Sequence, residues 1–348
     1  MSQLALTPNA TTDWNALLAP YKGSDRARSI FQLVSTALLF ALGWTLMLKA
    51  FAVSYWLTWL IGIPTSGLLT RLFIIQHDCG HGSFFRSSRA NNWVGAALGV
   101  VTITPYQYWR RTHAIHHATS GDLDRREMGD INTLAVEEYL ALSRWGKLCY
   151  RLYRNMFVLL VLGPLYQFVL KHRYPFDMPK GWGKEWRSVL GTNLALAAVL
   201  YLAHRTIGIG TLVLVHLPIT VISGALGVWL FYVQHQFEDT YWELHPDWDF
   251  HRAGVEGSSY FDLPPVLHWF TGNIGYHHVH HLASRIPNYR LRACMEAVPE
   301  LQHVTRLTIG SSFACARLKL WDPEQRRLIG FRELRRRRRN SPALQAAA

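Results

Sequence analysis

Two stretches of this chain are almost continuously apolar, and the polar positions gather between and around them. From Ile30 to Ile75 the only charged residues are Lys49 and Arg71, and from Ser188 to Gln234 the only full charge is Arg205. Each stretch has room for two helices of about 20 residues, the length a bilayer core requires. The breaks fall near Lys49 to Ser54 and at His204 to Gly208, so the pattern predicts two transmembrane hairpins. A signal peptide is excluded, because the first stretch starts too late and runs too long.

Two further apolar segments are shorter. Asn92 to Pro105 is too short for a span and suits a re-entrant or interfacial segment. Met156 to Leu170 is broken at Gly163-Pro164 and flanked by Arg151, Arg154, Lys171 and Arg173, as in a helix lying in the interface. Arg26 and Arg28 precede the first hairpin, Arg86 and Arg89 follow it, and Lys180, Lys184 and Arg187 precede the second. By the positive-inside rule both termini and the polar regions between the hairpins face the cytoplasm. The expected fold is an all-α membrane protein, with four transmembrane helices in two hairpins and a helical cytoplasmic cap. Residues 1–29 form a cytoplasmic N-terminal segment, 30–300 the membrane domain and 301–348 a cytoplasmic basic tail.

Composition supports one large, aromatic-rich domain: 348 residues, 49% hydrophobic, with 14 Trp, 15 Tyr and 16 Phe. The net charge of +13 rises to a run at Arg335 to Arg339. These basic residues flank predicted spans and form no soluble basic domain, so anionic lipid headgroups are the expected partner and nucleic acid is not. Cys79, Cys149, Cys294 and Cys315 have no C-x-x-C spacing, which excludes a zinc ribbon, a redox pair and an iron–sulfur pattern.

Histidine carries the chemistry. Ten of the 17 histidines lie at His235 or in three clusters: His77-Asp78-Cys79-Gly80-His81, His113-Ala114-Ile115-His116-His117 and His277-His278-Val279-His280-His281. Residues three or four apart share a helix face, so His77/His81, His113/His116/His117 and His277/His280/His281 are each expected to converge on a point. Imidazole suits iron, zinc, copper and nickel, and eight imidazoles are too many for one ion. Two metal ions fit better.

With their neighbours, the clusters resemble the three histidine boxes of the membrane fatty-acid desaturase family. The matching strings are His77-Asp78-Cys79-Gly80-His81-Gly82-Ser83-Phe84-Phe85, Trp109-Arg110-Arg111-Thr112-His113-Ala114-Ile115-His116-His117 and Gly272 to Leu282, and the likeness covers about residues 30 to 300. The three-residue gap in the first box and Phe231 to Glu238 resemble the acyl-lipid branch that includes Δ12 (ω-6) enzymes. The resemblance implies an O2-dependent desaturase that places a cis double bond in a lipid-linked acyl chain. Its non-haem di-iron centre would be held by His77, His81, His113, His116, His117, His277, His280 and His281. His235 matches an additional histidine ligand of the related acyl-CoA enzymes, and His278 falls outside the H-x-x-H-H register as a structural histidine.

Such a metal site answers a chemical need, because an unactivated methylene offers neither an acidic proton nor a leaving group for side chains to use. Removing hydrogen from two adjacent carbons gives an alkene, and adding hydroxyl after the first removal gives an alcohol. A membrane hydroxylase or ketolase of alkyl or carotenoid substrates is therefore the nearest alternative. Ligating imidazoles usually donate their other N–H to an acceptor, and Asp78, Asp122, Asp124, Glu238 and Asp239 are the nearby carboxylates. Tyr106, Trp109, Gly227 and Trp229 are candidates to line an acyl channel. No His-Pro-Gly-Gly or Gly-x-Gly-x-x-Gly motif encodes an electron carrier, so a separate ferredoxin or cytochrome b5 is expected. The substrate is expected to be a membrane lipid or a carrier-bound acyl chain.

Overall fold

The computed structural model describes residues 12–126 and 128–340. Among the described residues four helices are long and apolar enough to cross a membrane: Arg26–Phe51, Tyr55–His81, Gly183–Thr206 and Ile209–His235. They fall on the two predicted hairpins and are called spans one to four below. Asp25 starts span one by accepting a hydrogen bond from the Arg28 amide at 3.0 Å. Gly82, at φ +69°, ends span two in the left-handed conformation that lets its N–H reach the Asp78 and Cys79 carbonyls.

Span two is central. It packs against spans one and four, and 67% of its apolar window is buried, against 22%, 17% and 22% for spans one, three and four. The outer spans accordingly turn Phe31, Leu38, Leu194 and Leu226 outward, where lipid would cover them. Buried hydroxyls in span two are satisfied within it: Thr65, Ser66 and Thr70 donate to the Ile61, Gly62 and Ser66 carbonyls. Arg71, the inward charge of this span, lies over the Trp269 ring, 4.4 Å from its centroid, and also donates to the Trp269 carbonyl and to Thr36 Oγ1.

The shorter apolar segments return the chain to the box end of the spans. Helix Ser88–Val101 packs on span two, the backbone reverses through Ile103 at φ +49°, and helix Tyr106–Thr119 follows beside the first box. Later, helix Arg144–Tyr153 meets the π-helical segment Val158–Lys171 at a bend of 63°, so the pair forms one broken element.

Two small sheets interrupt the helical fold. Tyr260–Asp262 runs parallel to Arg306–Thr308, and Leu320–Asp322 antiparallel to Arg327–Ile329. Three-residue strands are too short to show a two-residue alternation, which is why the all-α reading misses them. Both flanks pack on the centre. Trp14 and Leu18 join Val279 and Leu282 beneath the third box, while Leu320, Ile329 and Leu334 pack on Val136, Tyr139 and Tyr150. Residues 1–11 and 341–348 of the two terminal segments lie outside the described residues.

One close approach fixes the first and second boxes to each other. The buried Tyr106 hydroxyl donates to the Cys79 carbonyl at 2.8 Å, and its ring lies where a Cβ on Gly95 would come within 2.2 Å. We expect Gly95→Val to cost about 1–3 kcal/mol through overpacking, lowering the unfolding temperature in detergent. Gly227→Ala, at an exposed position with open space around it, should leave that temperature unchanged. Equal unfolding temperatures for the two variants would contradict the described packing.

Candidate metal centre

Each histidine box stands at or beside the end of a helix that points into the same region. His77 and His81 occupy the last two turns of span two, and His235 is the last residue of span four. His113, His116 and His117 lie in the second half of Tyr106–Thr119, and His277, His280 and His281 lie on the short helix His277–Leu282. Six of these nine are buried, and His81, His113 and His117 are half-buried.

The nine side chains form two groups, His77, His81, His113, His117 and His280 in one and His116, His235, His277 and His281 in the other. Within each group the candidate ligand atoms lie within 4.8 Å of one another. This corrects the expectation that each box converges on a single point. Pairs four apart stay together, as in His77/His81, His113/His117 and His277/His281, while His116 and His280 cross to the opposite group. The reason is helical. Positions i+3 and i+4 lie about 60° to one side and 40° to the other of position i, so neighbouring histidines diverge by about 100°. The groups adjoin, with the His117 and His281 rings stacked at 4.2 Å.

The nitrogen geometry is what a metal would organise. His113 and His117 Nε2 are 3.1 Å apart, His117 and His280 Nε2 3.1 Å, and His235 and His277 Nε2 2.9 Å. Two nitrogens each about 2.1 Å from one ion, at right angles, are about 3 Å apart. Moreover, His81 Nε2, His116 Nε2, His277 Nδ1 and His281 Nε2 are buried without a hydrogen-bond partner in the described structure. Buried polar nitrogens rarely go unpaired, so the donor set fits two nitrogen-bound metal ions. Burial, then the neighbouring imidazoles, pushes the proton affinities of His113, His117, His280 and His281 far below the usual histidine range. His277 follows the same pattern. The neutral imidazole is the form that ligates a metal.

Partners outside the groups orient the rings. Asp78 Oδ1 faces His77 Nδ1 at 3.2 Å, and its Oδ2 accepts from the Asn288 amide at 2.7 Å and from Asn288 Nδ2 at 2.8 Å. Asn288 Oδ1 in turn accepts from Gln32 of span one at 2.8 Å. His116 Nδ1 faces Asp130 Oδ1 at 2.5 Å, and His235 Nδ1 faces the Gly257 carbonyl at 3.1 Å. Trp109 stacks on His113 at 4.6 Å, and Phe231 lies against His116 and His235, which walls the groups with apolar surface.

Sequence reasoning names Asp78 but misses Asp130. Its signal is the preceding Gly129, where φ is +88° and an added Cβ would come within 3.0 Å of His116 Cβ, so the loop lies against the second-box helix. The other proposed carboxylates serve elsewhere. Asp122 accepts from Arg125 and His245, Asp124 accepts from the His245 amide, Glu238 pairs with Arg327, and Asp239 is exposed. His278 belongs to neither group; its Nε2 sits 3.3 Å from Met295 Sδ. Of the channel candidates, Tyr106 and Trp109 pack at the boxes, Trp229 stacks on Tyr232, and Gly227 faces open space.

Residues 54–312 match the fatty acid desaturase family, a segment that contains the nine clustered histidines and His235. The chain belongs to the fatty acid desaturase family. It is 43% identical over 318 residues to a fatty acid desaturase of Bacillus subtilis (strain 168), a match covering 91% of this chain and 90% of that protein. It is 30% identical over 256 residues to an sn-1 acyl-lipid omega-3 desaturase (ferredoxin) of Synechocystis, covering 70% and 67%. An sn-1 oleoyl-lipid 12-desaturase of Arthrospira platensis is 26% identical over 289 residues, covering 77% and 75%. The desaturase is an oxidoreductase and, with its four apolar helices, an integral membrane protein.

Because Asp130 orients a ring that no other acceptor holds among the described residues, Asp130→Ala should lower bound metal and activity by about 10–100-fold. Glu238→Gln should change neither, since Glu238 pairs with Arg327 at the surface. Metal content and turnover of the two purified variants check this. Retention of full metal by Asp130→Ala would remove the residue from the site.

Proposed function

We propose that this desaturase uses O2 and two irons to place a cis double bond in a lipid-linked acyl chain. The observation that carries the reading is the pair of converging imidazole groups at the ends of spans two and four, with buried nitrogens left unpartnered. In this reading His77, His81, His113, His117 and His280 hold one ion, and His116, His235, His277 and His281 the other. Bound iron supplies the O2-dependent, one-electron oxidation of an unactivated methylene that no side chain provides.

The chain's own residues do the positioning. Asp78, Asp130 and the Gly257 carbonyl each accept from the outer nitrogen of a ligand ring and so hold the inner nitrogen toward the metal. Trp109 and Phe231 keep water from the two groups. His278 stays outside, packing against Met295.

The membrane setting completes the proposal. The arginines and lysines flanking the two hairpins put both termini and the histidine boxes on the cytoplasmic side. Electrons arrive from a separate ferredoxin or cytochrome b5. The Synechocystis relative carries ferredoxin in its name, and a strongly basic chain suits an acidic carrier. The first-box gap and the segment Phe231 to Glu238 at the end of span four support a Δ12-like position.

Expression in a host of defined lipids, with mass-spectrometric localisation of double bonds, tests this directly. We expect a new cis alkene in membrane lipid acyl chains, at position 12. A double bond elsewhere would refute the Δ12 assignment, and an oxygenated product would replace desaturation with hydroxylation. In the same assay His235→Ala and His277→Ala should be inactive and iron-depleted, whereas His278→Ala should keep substantial activity. Loss of activity in His278→Ala with retention in His277→Ala would shift the third-box register by one residue.

A further inference from the structure

Away from the histidines, a cavity of about 400 Å³ opens between Arg151, Arg154, Met156, Ala316, Lys319 and Arg335. Among the described residues no carboxylate lines it. Its floor is made of two buried cations. Arg154 is fully buried, and its guanidinium donates only to neutral acceptors: the Asn132 and Leu318 carbonyls, Thr133 Oγ1, the Tyr232 hydroxyl and Gln236 Oε1. Its Nε has no partner in the described structure. Lys319 is 8% exposed, and its ammonium lies 3.4 Å from Met156 Sδ, a weak acceptor. Arg151 and Arg335 stand exposed at the rim, and among the described residues none of these four cations makes an ion pair.

Buried cations without a counter-ion are costly, which points to an anionic ligand. Burial, followed by the nearby Arg154 charge, pushes Lys319 down to about 7, a shift that a bound anion would reverse. The surroundings say which anion. Trp145, Leu148 and Leu152 form an exposed apolar stripe on helix Arg144–Tyr153, and Phe157 and Phe313 are exposed on the neighbouring segments. A cationic pocket bordered by unpartnered apolar side chains matches the boundary between headgroups and acyl chains.

We infer that this cavity binds the phosphate of a membrane phospholipid, with Lys319 and Arg154 at its floor and Arg151 and Arg335 at its rim. Arg154 also links the site to the histidines. It bonds Asn132 and Thr133, just after Asp130, and Gln236, just after His235. A phosphate at the floor is thus coupled through one side chain to two segments that face the metal groups. The inference rests on the membrane setting and not on the identity of the metal or the product.

Full-length protein in detergent, titrated with dioctanoyl phosphatidylglycerol and followed by native mass spectrometry and thermal unfolding, tests it. The phospholipid should be retained and should raise the unfolding temperature. Dioctanoylglycerol, which lacks phosphate, should do neither, and inorganic phosphate should bind at least about ten-fold more weakly because it gains nothing from the apolar border. Lys319→Gln should weaken phospholipid binding by about ten-fold or more, as expected for loss of a charge-assisted contact, without lowering the unfolding temperature of lipid-free protein. Arg335→Gln, at the exposed rim, gives a second variant with little risk to folding and should weaken binding as well. Equal binding of the neutral lipid, or unchanged phospholipid affinity in both variants, overturns the inference. Inorganic phosphate binding as tightly as the phospholipid would replace lipid with free phosphate. If the variants keep lipid affinity but lose reduction by ferredoxin, the cavity is instead a docking point for the carrier.

Discussion

The structure depends on the enclosure of uncharged imidazoles nitrogen to nitrogen, at separations near 3 Å, with four ring nitrogens left unpartnered. Protein groups leave part of that arrangement unsatisfied, since each neutral imidazole has one donor and one acceptor nitrogen and His81 Nε2, His116 Nε2, His277 Nδ1 and His281 Nε2 find no partner in the described structure. Metal ions held by the two groups would take up those nitrogens. The surrounding fold can be understood as the scaffold that brings these rings together against their own desolvation.

That scaffold uses the membrane helices as rulers. Span two carries the first box in its final turns and is the most buried of the four, while span four ends on His235. Helices Tyr106–Thr119 and His277–Leu282 then close over those ends with the remaining histidines of the two groups. The orienting groups come from separate parts of the chain, with Asn288 and Gln32 behind Asp78, and Asp130 and Gly257 behind His116 and His235. The two imidazole groups thereby stand together at the ends of spans two and four.

Much of this was legible in the sequence because it rests on strong, long-range patterns. Apolar runs interrupted only at Lys49, Arg71 and Arg205 locate the spans, and repeated three- and four-residue histidine spacing marks the boxes. What stayed hidden depends on direction or on distant contacts. The division of the second and third boxes between two groups follows from the 100° step between adjacent helical positions, which spacing alone does not assign to one ion or another. Asp130 lies in a loop 14 residues from His116 and reaches it through Gly129, whereas Asp122, Asp124 and Glu238, closer to the histidines in sequence, turn to Arg125, His245 or Arg327. Likewise Arg154 reads as an interfacial flank in sequence, and only the fold shows it buried beside Lys319.

Iron quantitation combined with iron-edge X-ray absorption on the purified, active protein tests the central claim most directly. The account predicts about two irons per chain, each surrounded mainly by nitrogen at about 2.1 Å, the distance expected for imidazole ligation. A single metal ion per chain with full activity, or stoichiometric zinc with activity retained after growth in iron-replete medium, would contradict it.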